Sequence, residues 1–148
     1  MDEEERRKGL MLMRLAAALQ YCLPGVPCIY YGDEAGMEGY RDPFNRGCYP
    51  WGEEDTGLLT WYRKLGQMRR AAPVLKEGGI RFLPVSGDVV CLERFGSGTL
   101  LCAVNRSEEE RWISLPAVWS GCTVNLGGGV VEHDRLVLPP LDCAVLLG

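Results

Sequence analysis

The chain has 148 residues, 47% of them hydrophobic and 24% charged, with a formal net charge of -4. That is room for one ordinary domain, or a small domain plus a piece of another; the apolar share excludes a disordered chain, and the dispersed basic residues exclude a nucleic-acid partner. Seven cysteines (Cys22, Cys28, Cys48, Cys91, Cys102, Cys122, Cys143) without C-x-x-C spacing, and a single histidine, His133, signal no metal site and no disulfide framework. They point to reduced, mostly buried thiols and a cytoplasmic setting, and His133 alone removes most Ser-His and Cys-His schemes.

In chain order, residues 2–22 read as an amphipathic helix. Glu3 with Arg7 and Glu4 with Lys8 are acid-first pairs four residues apart, and Leu12, Leu15, Ala16, Leu19 and Leu23 recur at helical intervals. Pro24-Gly25 stops it. Arg14 and Gln20 interrupt the apolar part, which is shorter than the roughly 20 residues of a membrane span, and acidic residues precede it, so neither a span nor a targeting segment is read. Val26 to Tyr31 is an unbroken apolar run that suits a strand buried on both faces, as in parallel sheets, although its length also admits a short buried helix. Pro27 falls near its start, where a missing amide matters least. Gly32 breaks the run into a polar loop carrying Asp33, Glu34, Arg41, Asp42, Asn45 and Arg46.

A second helix follows over about 55–72. Glu53, Glu54 and Asp55 crowd its start and Arg69-Arg70 its end, which complements the helix dipole, and Leu58, Tyr62, Leu65 and Met68 form its apolar stripe. From about Glu77 the texture becomes that of strands: Ile80–Leu83, Val89–Phe95, Thr99–Asn105, Arg111–Leu115, Cys122–Leu126, Arg135–Leu138 and Cys143–Leu147. Turn signals at Ser86-Gly87-Asp88, Gly96-Ser97-Gly98, Ser120-Gly121 and Gly127-Gly128-Gly129 separate them. This is the punctuation of an antiparallel β-sandwich, with a hairpin over Phe95–Thr99. The expected fold is α+β: helix, strand, helix, then an all-β module.

One stretch carries a family resemblance. Gly25, Pro27, Ile29, Tyr30, Tyr31, Gly32, Asp33 and Glu34 spell G-x-P-x-I-Y-Y-G-D-E, and Asp42, Pro43, Asn45 and Arg46 spell D-P-x-N-R. Together they resemble the last barrel strand and following loop of the α-amylase family of glycoside hydrolases, and G-M-E-G-Y-R-D-P-F-N-R resembles its neopullulanase and cyclomaltodextrinase branch. The resemblance implies that residues 1–75 are the end of a (β/α)8 barrel, with its last strand at about 26–31 and its last helix at about 55–72, and that 76–148 form the C-terminal β-sandwich. It implies an α-glucan substrate, with hydrolysis by an enzyme longer than this chain. A barrel takes roughly 250 residues.

Retaining hydrolysis needs two carboxyl groups about 5 Å apart. Asp33 and Glu34 are chain neighbours that point to opposite sides of an extended backbone. In the family the catalytic carboxylates lie on earlier strands, so none is assigned here, and no metal or cofactor is implied by these residues; a calcium site in a longer enzyme is left open. The family's substrate loop does carry over: its Asp and Arg hydrogen-bond a glucose unit, and Asp42 and Arg46 match them. A carboxylate and a guanidinium four residues apart suit vicinal hydroxyls, and they equally suit a surface ion pair that stiffens the loop. Tyr31 and Glu34 are weaker substrate candidates, since Tyr30 or Tyr31 can fill a barrel interior and a carboxylate can bond loop amides.

Tyr40, Phe44, Tyr49 and Trp51 offer stacking faces or pin the loop. Trp112 and Trp119 would form a sugar platform if exposed together; the strand alternation around Trp112 is read as core. His133 reads as an exposed loop residue, Glu108-Glu109-Glu110 as a solvated turn, and Gly127–Gly129 as no phosphate loop, because it lacks the Lys and the following helix. The alternative to a hydrolase segment is a stand-alone carbohydrate-binding or interaction sandwich. A barrel remnant with unpaired strand edges is also expected to self-associate.

Overall fold

Asp2 opens the first helix, α1 (Glu3–Cys22), with a reciprocal cap: its carboxylate accepts from the Glu5 amide at 2.8 Å, and the Glu5 carboxylate accepts from the Asp2 amide at 3.1 Å. The computed structural model describes residues 2–85 and 87–148; Ser86, from one expected turn, lies outside the described residues. Leu15, Ala17, Ala18, Tyr21 and Cys22 turn inward, whereas Ala16, expected on the apolar stripe, faces solvent. The second helix, α2 (Thr56–Ala71), starts at an Asp55 cap that accepts from the Leu58 amide at 2.8 Å. Trp61 joins the two helices, donating its indole N–H to the Arg14 carbonyl at 3.0 Å while the Arg14 guanidinium lies 4.7 Å from its ring centre. A single turn, α3 (Val74–Glu77), follows Pro73.

The strands are β1 (Gly79–Phe82), β2 (Val89–Gly96), β3 (Gly98–Asn105), β4 (Arg111–Ser114), β5 (Val124–Gly127), β6 (Val130–Glu132), β7 (Arg135–Leu138) and β8 (Cys143–Leu147). They form two antiparallel sheets, ordered β1-β2-β3-β8-β5 and β4-β7-β6. The expected α+β class and the expected hairpin are both present, with Phe95 opposite Thr99 across Ser97. Strand β6 was not anticipated, because three residues between two turns carry too little alternation to register.

The sheets and helices stack in three layers. One face of the larger sheet (Leu92, Leu100, Cys102, Val104, Cys143 and Val145) packs against Ala18, Cys22, Leu58, Leu65 and Leu75. The opposite face (Cys91, Leu101, Ala103, Ala144 and Leu146) packs against Ile113, Trp119, Leu136 and Leu138 of the smaller sheet and its connections. Helices from before residue 75 and strands from after it thus share the first of these two clusters. Two buried charges lie on opposite faces of the larger sheet. Arg94 is 1% exposed and donates to the carbonyls of Cys22 at 2.9 Å, Gly78 at 2.7 Å and Gly79 at 3.0 Å. Glu93, on the other face, accepts from the Trp119 indole at 2.8 Å and from Arg81.

Two expectations are corrected. Residues 26–30 form no ladder, and Val26 is 92% exposed with Ile29, Tyr30 and Tyr31 also open to solvent. A strand is made by its neighbours, and no described strand lies beside this one. Trp112 is exposed, not core: β4 alternates, Ile113 takes the inward side, and the period of two puts Trp112 outside. Trp119 is buried, so the two tryptophans share no platform. The Glu108–Glu110 turn is exposed as expected, with Glu108 paired to Lys8 and Glu109 to Arg111 at 2.7 Å.

Cys22, Cys91, Cys102 and Cys143 are buried, whereas Cys28 and Cys48 are exposed. Burial, with the nearby Glu93 and Asp142 carboxylates, pushes Cys91 and Cys143 up to about 12; a hydrogen bond with Cys22, together with burial, also raises Cys102. A thiol so raised is uncharged at pH 8 and unreactive. Brief iodoacetamide treatment of the native chain at pH 8 should therefore alkylate Cys28 and Cys48 and spare the four buried thiols until denaturant is added, as read by peptide mass spectrometry. Native labelling of Cys102 would contradict a closed core.

Candidate functional site

The loop from Leu23 to Asp55 is held at its root by Arg69 in the last turn of α2. Its guanidinium donates to the carbonyls of Tyr21, Leu23 at 3.3 Å, Gly25, and Leu75 at 3.2 Å. This ties off the open C-terminal carbonyls of α1 and aims the chain that follows. Gln20 adds a bond to the Cys28 carbonyl at 2.7 Å.

Gly32 then turns the backbone at φ 94, a left-handed conformation that suits glycine. A 3₁₀ turn over Asp33–Ala35 follows, and Asp55 closes the loop by donating its amide to the Ala35 carbonyl at 2.9 Å.

Glu34 is spent on this turn: its carboxylate accepts from the Gly32 amide at 3.0 Å. Tyr31 donates its hydroxyl to the Gly47 carbonyl at 3.0 Å, and Tyr30 reaches the Asn45 carbonyl at 3.4 Å; the two rings lie 5.0 Å apart. The tyrosines therefore brace a second 3₁₀ turn, Phe44–Arg46. Asp42 and Arg46 meet across it at 2.8 Å, with side chains 63% and 70% exposed. Among the described residues, neither Tyr31 nor Glu34 is hydrogen-bonded to either of them. Partial burial raises the Asp33 carboxyl, and burial with the nearby Asp33 charge pushes the Tyr62 phenol up to about 12.

Between the first half of α1 and this loop lies a cleft of about 540 Å³, lined by Leu10 and Met13 on the helix and by Tyr30, Asp33, Tyr40 and Asn45 on the loop. Arg6 and Glu38 pair at its rim at 3.0 Å. Among the described residues the buried Asn45 side-chain oxygen has no hydrogen-bond partner, an acceptor that a hydroxyl or a water would satisfy. The sequence motif contains Asn45, yet nothing in it marked this atom. Arg69 was legible only as a helix-end charge. Among the described residues no group of three or more His, Cys, Asp or Glu could hold a metal ion, and no helix is long and apolar enough to cross a membrane.

No family model matches the chain. It is 49% identical over 82 residues to an amylopullulanase of Thermoanaerobacter thermohydrosulfuricus, covering 55% of this chain and 6% of that one. It is 37% identical over 109 residues to a cyclomaltodextrinase of Thermoanaerobacter pseudethanolicus, covering 72% of this chain and 19% of that one. The chain belongs to the α-amylase family of glycoside hydrolases. The family architecture agrees: the cyclic alpha-maltosyl-(1-->6)-maltose hydrolase from Arthrobacter globiformis superposes with a TM-score of 0.77 at 28% identity, covering 93% of this chain and 30% of that one. Within the α-amylase family the chain matches the C-terminal part, where antiparallel strands form the β-sandwich. It spans between 6% and 10% of the amylopullulanases it resembles.

Proposed function

We propose that this chain supplies one wall of an α-glucan-binding cleft, together with the accessory β-sandwich, to an enzyme that hydrolyses α-glucosidic bonds with retention. The observation that carries this reading is the Asp42–Arg46 pair, joined at 2.8 Å yet mostly exposed, on a loop tied at both ends. An exposed pair is worth little to stability, so its partners are free to exchange one another for vicinal sugar hydroxyls. The named activities of the amylopullulanase and cyclomaltodextrinase relatives support an α-glucan as the substrate.

The catalytic carboxylates belong elsewhere in such an enzyme. Asp33 and Glu34 are adjacent in sequence and Glu34 is already bonded to its own loop, which does not suit two groups flanking one glycosidic bond. The setting proposed from the reduced thiols is cytoplasmic. The open apolar side chains at Val26, Ile29, Tyr30 and Tyr31 support association of the isolated chain with itself.

In the longer enzyme, Asp42→Ala and Arg46→Ala should each lower kcat/KM on maltooligosaccharides by about 10- to 100-fold, since each removes a charge-assisted hydrogen bond of about 1.5–3 kcal/mol. The melting temperature should stay nearly unchanged, because the pair is exposed. The isolated chain should turn over neither maltooligosaccharides nor pullulan. Unaltered kinetics in both variants would reduce the pair to a loop brace, and turnover by a homogeneous preparation of the chain would place catalytic groups within it. The reading as a separate carbohydrate-binding sandwich is favoured by one feature, the exposure of Trp112.

A further inference from the structure

Strand alternation explains why Trp112 faces outward, but not why so large an apolar residue is left there 56% exposed. Its neighbours suggest a use. On the outer face of the smaller sheet, Trp112 pairs with Val137 and Val137 with Val130, so a partly apolar row crosses three strands over roughly 10 Å. In the adjacent row Ser114 pairs with Arg135 and Arg135 with Glu132, a set of hydrogen-bonding side chains beside the apolar one. Among the described residues neither Arg135 nor Glu132 is in an ion pair; the Arg135 guanidinium lies 4.3 Å from the Trp112 ring centre and so orients it. A groove of about 790 Å³, with Glu110 and Arg111 on its wall, runs along the free edge of β4 beside Trp112.

We propose that this face is a second α-glucan-binding surface, centred on Trp112 and separate from the Asp42–Arg46 loop. A pyranose chain is itself two-sided: its ring faces are C–H surfaces that lie against an indole, and its rim carries vicinal hydroxyls. An aromatic row flanked by a polar row matches both sides at once, with Arg135 and Ser114 donating to the hydroxyls and Glu132 accepting from them. The choice of an α-glucan as the occupant rests on the reading above and on the named activities of the relatives. A protein partner would favour a larger apolar patch than one tryptophan and two valines provide.

The test uses the whole chain in native gels containing soluble starch, with titration by maltoheptaose as a second measure. The unsubstituted chain should be retarded by starch. Trp112→Ala should bind about tenfold more weakly or not measurably, Trp112→Phe should retain most of the binding, and Phe82→Ala, which removes an exposed aromatic of the larger sheet, should leave the retardation in place. Trp112 is mostly exposed, so Trp112→Ala keeps the fold, and an unchanged circular dichroism melt verifies that.

Retardation equal in Trp112→Ala and the parent chain, or absent from the parent chain, overturns the proposal. If Asp42→Ala abolishes the retardation while Trp112→Ala does not, the sheet surface fails and the loop reading stands. The loop reading fails separately, on the kinetics of the longer enzyme.

Discussion

Arg94→Ala is expected to destabilise the chain by about 3 kcal/mol, because the carbonyls of Cys22, Gly78 and Gly79 lose a common buried donor and each orphaned acceptor costs about 1–3 kcal/mol. Relief of a buried cation offsets part of that loss. Burial and the neighbouring Arg69 both push the Arg94 guanidinium below its ordinary value, yet an arginine stays charged at neutral pH. Arg94→Met separates the effects, since it keeps most of the packing and removes the donors. Urea unfolding followed by tryptophan fluorescence should show both variants with a lower midpoint and an unchanged slope. A loss below about 1 kcal/mol would mean that water reaches and satisfies the carbonyls. The effect has a functional side as well, for the Cys22 carbonyl is the end of α1, from which the Asp42–Arg46 loop departs.

Gly127→Ala should cost about 2–5 kcal/mol. At φ 97 a side chain is strained whatever the space, by about 1–2 kcal/mol. Here a Cβ would also lie 2.0 Å from the Cys143 carbonyl oxygen and 2.7 Å from its carbon. That neighbour is backbone of β8, which pairs on both sides, with β3 and β5, so relief requires moving a central strand and adds about 1–3 kcal/mol. Gly121→Ala is the control: its φ is 75 and a Cβ there meets nothing within 4 Å, so only the backbone cost of about 1–2 kcal/mol applies. Equal losses at the two positions would show that the contact with Cys143 relaxes freely. The triple glycine is thus a close-packing device at the end of β5, in keeping with its reading as no phosphate loop.

Much of the architecture was legible because its signals are local. Glu3 with Arg7, Glu4 with Lys8, and the stripe of Leu58, Tyr62, Leu65 and Met68 mark helices through spacings of three or four residues. Gly96-Ser97-Gly98 marks the hairpin over a span as short. The loop motif likewise placed Asp42 and Arg46 together, since four residues through a 3₁₀ turn bring them into contact. It did not say what Tyr31 and Glu34 do, and both turn out to brace the loop's own backbone.

By itself, then, the sequence determined the two long helices, most of the strands, the α+β class and the family resemblance, all of which depend on residue order over a few positions. What tertiary structure decided depends on neighbours far away in the chain. Period two places Trp112 and Ile113 on opposite faces, but only the approach of the larger sheet makes Ile113 the inner one. The stretches Leu100–Val104 and Cys143–Leu146 read as strands of a sandwich, and only the packing shows that both their faces are buried, one under helices and the other under strands. For Val26 to Tyr31 an unbroken apolar run gave the wrong expectation. An apolar run states a need for burial and for ladder partners, and whether they exist is not written in the run itself.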